Sequence, residues 1–83
     1  MASYFVVQSF STGEGGGMSP DSPIQAQSLH QARRMAERLT EKKAMVIAFM
    51  RDGNAKTGDY GDPKLIFAHG SDLPEELADM ERV

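Results

Sequence analysis

The sequence predicts a small α+β domain of order β-α-β-β-α: a three-stranded mixed sheet, one main helix packed on one face, and a short C-terminal helix. Three observations carry this. The segment 28–43 (SLHQARRMAERLTEKK) repeats Leu29, Ala32, Met35, Ala36 and Leu39 at three- and four-residue spacing, one face of a helix. The segment 44–51 (AMVIAFMR) is apolar on both alternating faces, as in a strand covered on both sides. A chain of 83 residues has room for one domain only.

The first strand is expected over residues 4–10 (YFVVQSF), an aromatic and β-branched run. Tyr4, Val6, Gln8 and Phe10 point one way, Phe5, Val7 and Ser9 the other. Residues 11–23 (STGEGGGMSPDSP) read as a flexible glycine-rich loop, since glycine permits positive φ and proline resists both ladder and helix. Residues 24–27 fit either an early helical turn capped by Ser22 or extended chain. The extended reading is preferred, because the apolar stripe becomes regular only from Leu29.

The main helix is expected over 28–43. Ser28 and Gln31 have the spacing of a capping box. A strand over 44–51 follows, then a polar hairpin loop over 52–63 (DGNAKTGDYGDP) headed by Asp-Gly. A third strand over 64–69 (KLIFAH) closes an antiparallel hairpin with the second. Residues 73–81 suit a short helix: Asp72 and Glu75 again have capping-box spacing, Pro74 fits a first turn, and Leu73, Leu77 and Met80 line one side. Strand, helix, strand implies a right-handed crossover. Strand order 1-2-3, with 44–51 central, and order 1-3-2, a split βαβ unit, both remain open.

Composition bounds the function. A chain this short buries only roughly 60% of its unfolded surface. It has no cysteine for a disulfide or thiolate metal site. The net charge of −3 argues mildly against nucleic acid or membrane as partner, and no apolar run approaches a membrane span. The opening segment has no basic, signal-like start, and the expected location is the cytoplasm. One helix cannot cover both faces of two two-sided strands. The remaining apolar face predicts a partner, a second copy first and another protein next.

The chemical constellations are weak. The glycine run Gly13, Gly15, Gly16, Gly17 lies between a strand and a helix, where a phosphate loop would sit. Its spacing is not that of a dinucleotide or Walker loop. The stretch Asp52, Asn54, Lys56 superficially resembles a calcium loop, but Lys56, Thr57 and Pro63 occupy places that need oxygen ligands or glycine. No metal or cofactor is expected. His30 and His69 are the only histidines; a small enzyme centred on His69, paired with Ser71 or Asp72, is the least favoured reading.

Arg34, Arg38 and Lys42, at four-residue intervals, predict a basic ridge on the outer helix face. With Tyr60 from the hairpin loop they form the candidate binding set for a nucleic acid or glycan. The ordinary alternative is a solvated face in which Arg33–Glu37 and Arg38–Glu41 make helix pairs worth about 0.2–0.5 kcal/mol each. The ridge is also a candidate receiver for the acidic tail, where Asp72, Glu75, Glu76, Asp79 and Glu81 stand against Arg82 alone. The six methionines are mostly core candidates.

The opening VVQSFS, followed by a helix with A-x-x-x-A spacing (Ala32, Ala36) and an apolar strand, resembles the SPOR domain over the first half of the chain. That resemblance implies a βαββαβ fold and binding of bacterial cell-wall glycan, and it implies no particular site residue. The whole chain also resembles small bacterial proteins of unknown function. The leading expectation is a small non-enzymatic protein that acts by protein–protein interaction as a homodimer.

Overall fold

The longest ladder runs between two strands, β1 (Ala2–Thr12) and β4 (Met45–Asn54). They pair antiparallel over nine positions, from Ala2 opposite Gly53 to Phe10 opposite Met45. The computed structural model describes residues 2–54, 56–70 and 73–83. Its sheet also contains β2 (Met18–Pro20), β3 (Ile24–Ala26), β5 (Asp59–Tyr60), β6 (Lys64–His69) and β7 (Glu81–Arg82). The main order is β2-β1-β4-β6-β7, with β3 also on β1 and β5 on β4. Among the described residues one α-helix, α1 (Leu29–Leu39), lies on one face.

This corrects the expected three-stranded β-α-β-β-α domain. The sheet is mixed, as expected, but among the described residues it has seven strands, and the C-terminal segment there forms no α-helix. Three local causes account for the difference.

The glycine-rich segment is a hairpin turn, not a flexible loop. Gly15 and Gly16 take φ of 83° and 84°, which L side chains resist, and Gly13 N–H donates to Gly17 O at 2.7 Å. That turn returns the chain along β1, with Ser11 opposite Ser19. Pro20 is tolerated because β2 is an edge strand, where a missing N–H costs no ladder bond.

Residues 24–26 are extended and pair with β1, so the helix joins β3 to β4. Both are antiparallel to β1, hence parallel to each other with β1 between them. The expected crossover from the first strand to the strand after the helix does not exist, since those two strands are antiparallel neighbours.

The C-terminal segment forms a 3-10 helix (Glu75–Asp79) followed by β7, parallel to β6. Leu77 and Met80 are three residues apart, and a 3-10 helix stacks such positions on one side. A segment this short does not offset the nucleation cost of an α-helix by itself. Asp72, the expected cap, lies outside the described residues.

Strand order is β1-β4-β6, so the run that is apolar on both faces is central. β4 also continues to Asn54 and pairs with β5, placing Asp52 and Gly53 within a strand instead of a turn. The reversal falls later, at Gly58 (φ 76°), whose N–H donates to Asn54 O at 2.8 Å.

The helix is shorter than expected at its C-terminal end. Ser28 caps it, accepting from Gln31 N–H at 3.1 Å, while Gln31 Oε1 accepts from Gln27 N–H instead of the Ser28 N–H. It ends at Leu39. Lys42 and Lys43 N–H both return to Leu39 O, turning the chain toward Met45. Ala32 and Ala36 are fully buried against Val7, Val46, Ala48 and Ile66. Their small side chains let the helix approach the sheet closely. A register shift between Ala48 and Phe49 leaves Ile66 without a partner on β4 and puts both Ile66 and Phe67 against the helix-side core.

Candidate functional site

The face of the sheet away from the helix is apolar along its length. Residues opposite one another in the β1–β4 ladder share a face, so this one carries Tyr4, Val6, Gln8 and Phe10 from β1. Beside them stand Arg51, Phe49, Ile47 and Met45 from β4. Leu65 and Ala68 continue it on β6. We refer to this as the open face.

Only part of it is covered. The 3-10 helix and the residue that follows it lay Leu77 and Met80 on the cluster of Met45, Ile47 and Leu65, forming a ridge over the β6 side. Between ridge and sheet runs a groove of about 240 Å³ lined by Gln8, Ile47, Phe49, Pro63, Leu77 and Met80. On the β1 side, Tyr4, Val6, Gln8 and Phe10 remain partly exposed, with Gln8 forming the groove wall opposite Leu77 and Met80. Gln8 Nε2 donates to Ser9 O and Asp21 O, at 3.0 and 2.6 Å.

At one end of the open face an aromatic corner forms. Tyr60 lies opposite Gly53, and a Cβ on Gly53 would collide with the ring, so the tyrosine sits on the bare backbone. Tyr4 meets Tyr60 with ring centroids 6.0 Å apart and planes at 51°. The Arg51 guanidinium lies 5.4 Å from the Tyr60 centroid, and its Nε donates to Gly61 O at 2.8 Å. Tyr60 is therefore a packed residue of a strand, though still 45% exposed.

The expected binding set does not form one surface. Arg34 and Arg38 are exposed on the helix, which covers the opposite face of the sheet from Tyr60. Lys42 is past the helix end, in the turn, so the helical ridge stops at Arg38. Among the described residues the ion pairs within 4.0 Å are Lys43–Asp21 and Lys64–Glu81, and none involves Arg33, Arg34 or Arg38. Among the described residues no acidic side chain of the tail pairs with the basic helix face; Leu77 and Met80 pack on the far side of the sheet.

The remaining constellations resolve locally. In the glycine-rich turn, the N–H groups of Gly13 and Gly16 are spent on Gly17 O and Gly13 O. Asp52 accepts from Ser3 Oγ at 2.6 Å and Asn54 Oδ1 from Lys56 N–H at 3.0 Å, so both serve local geometry. Among the described residues no three His, Cys, Asp or Glu converge as a metal site. His69 is exposed at the end of β6, separated from β1 by β4. Ser71 and Asp72, its expected partners, lie outside the described residues.

Sequence reasoning missed Asp21. Its carboxylate accepts from Ser9 Oγ (2.9 Å) and Ser11 Oγ (2.9 and 3.0 Å), and Lys43 Nζ lies at 3.3 Å. The Ser9 and Ser11 hydroxyls hold its pKa below the ordinary value; partial burial opposes them and Lys43 assists. Lys43 Nζ also donates to Ser11 Oγ at 3.1 Å. This is a clasp and not a nucleophile pair. Lys43 Nζ donates to Ser11 Oγ, and the serine protons are directed at Asp21, so Lys43 accepts no proton from either hydroxyl. The clasp joins β1, the corner before β3 and the turn between the helix and β4. The only signal for it was two serines and a lysine of suitable reach, which identify nothing until the hairpin places them together.

Comparison with protein-family models, with curated proteins and with solved structures finds no match to this chain. No helix among the described residues is long and apolar enough to cross a membrane.

Proposed function

We propose that this chain is a small, non-enzymatic, cytoplasmic protein–protein interaction module that self-associates through the open face of its sheet. One observation carries the reading: β4 is apolar on both sides, the helix covers one, and the other continues onto β1 as Tyr4, Val6, Gln8 and Phe10, which remain partly exposed. Contiguous apolar surface of this kind marks interaction sites in small proteins. The cysteine-free composition suits a reducing compartment.

A second reading rests on Arg34 and Arg38, exposed one turn apart and without a described ion-pair partner. They favour a nucleic-acid or glycan ligand on the helix side. The two readings use opposite faces, so substitutions separate them. Light scattering on Val6→Lys and on Arg34→Glu/Arg38→Glu should show a monomer for the first and the wild-type mass for the second. A dimer that survives Val6→Lys and dissociates on charge reversal would sink the open-face reading.

A further inference from the structure

We propose that the outer edge of β6 takes an extended peptide of another protein as an added strand. This contact uses the edge of the sheet and stands apart from the self-association proposed above. In the order β2-β1-β4-β6-β7, β7 pairs only with Lys64 and Leu65 of β6. Val83 N–H adds one bond, to Leu65 O at 3.0 Å. β6 runs on through Ile66, Phe67, Ala68 and His69. Of these, Phe67, Ala68 and His69 pair inward with Ala48, Ile47 and Val46. Backbone groups of successive strand residues alternate in direction, so about half of theirs face outward. Among the described residues no strand pairs with this stretch on its outer side, and no turn or loop backbone bonds to it.

The two edges of the sheet are built differently. On the far edge β2 and β3 have three residues each, Pro20 lies within β2, and Pro23 stands directly before β3. Short strands and prolines guard an edge against strand addition. The stretch from Ile66 to His69 has no proline, lysine or carboxylate to guard it. Beside it, on the open-face side, lies a cavity of about 330 Å³. Its apolar walls include Leu65, Ala68, Leu73 and Leu77, and its charged members are Glu75 and Arg82. Side chains of a strand alternate between faces, so those of an added strand on this face turn toward the cavity. Backbone bonds along the edge then hold the peptide, and the cavity selects an apolar side chain. The added strand continues the line of β7. Arg82 therefore stands at its near end, exposed and without a described ion-pair partner, and an acidic residue there gains an ion pair.

The probe is a short acetylated and amidated peptide of alternating threonine and valine with a glutamate at each end. Its counterpart is N-methylated throughout and has no N–H to donate. Residue-resolved amide hydrogen exchange of the full chain reads the contact. The expected result is exchange slowed by about tenfold or more within Ile66–His69 and unchanged at Ile24–Ala26, with no effect from the counterpart. Leu73→Asp and Arg82→Glu, both at exposed positions, are each expected to weaken binding by about tenfold. No protection at about 1 mM peptide overturns the proposal, as does equal protection by the counterpart or protection confined to other strands. Amides of Ile66–His69 that are slow without peptide and quicken on dilution assign the edge to a second copy and overturn it too.

Discussion

At Gly53 the missing Cβ is occupied by the ring of Tyr60. Gly53→Ala is therefore expected to push the tyrosine off the strand and release its contacts with Tyr4 and Arg51. Such a loss is worth about 1 kcal/mol. In a domain of this size that lowers Tm by about 4–8 °C. Thermal unfolding should show the drop, with little further loss when Tyr60→Ala is added; an unchanged Tm would mean that the ring contributes nothing. The Asp-Gly pair gave the opposite hint, a turn, because local propensity cannot anticipate an aromatic lying across a strand. Asp21 makes a second prediction at this scale. Its folded pKa is lowered by Ser9 and Ser11 first, with Lys43 assisting against partial burial. The stability it supplies is complete above the unfolded value of about 3.9 and is lost as pH falls through the lower folded value. Asp21→Asn should lower Tm at neutral pH, and the gap from wild type should close on acidification below that range. A gap independent of pH would show that the carboxylate's charge is not what holds the clasp.

Elements were readable where periodicity was long. The five apolar positions from Leu29 to Leu39 set the helix and the face it buries, and Ser28 is its cap. Ala32 and Ala36 touch the sheet where there is no space for more. Ala36→Leu is expected to cost about 1–3 kcal/mol through overpacking. A denaturant titration that leaves the midpoint unmoved would show that the helix can lift without penalty. Short elements were not readable. β2, β3, β5 and β7 have two or three residues each and owe their existence to a long neighbour that supplies hydrogen-bond partners. Nothing within MSP or ER announces a strand. The tail illustrates the same limit: Leu73, Leu77 and Met80 fit an α-helix on paper, yet packing on Leu65 and Ile47 needs only Leu77 and Met80, one 3-10 turn apart.

For the molecule as a whole, what mattered most was a balance of faces. That β4 needs cover on both sides was visible from AMVIAFM, and so was the shortage of helix to provide it. Which residues would share the uncovered face was not visible, because that depends on β1 running antiparallel to β4. The same ignorance joined Tyr60 to Arg34 and Arg38, which the sheet keeps on opposite sides. The open face is expected to be satisfied by a second copy. Solution mass by light scattering should be followed from high to low protein concentration. Twice the 9.1 kDa chain mass is expected at high concentration, falling toward one chain on dilution. A mass of one chain at every concentration would contradict it and leave the open face to a different protein.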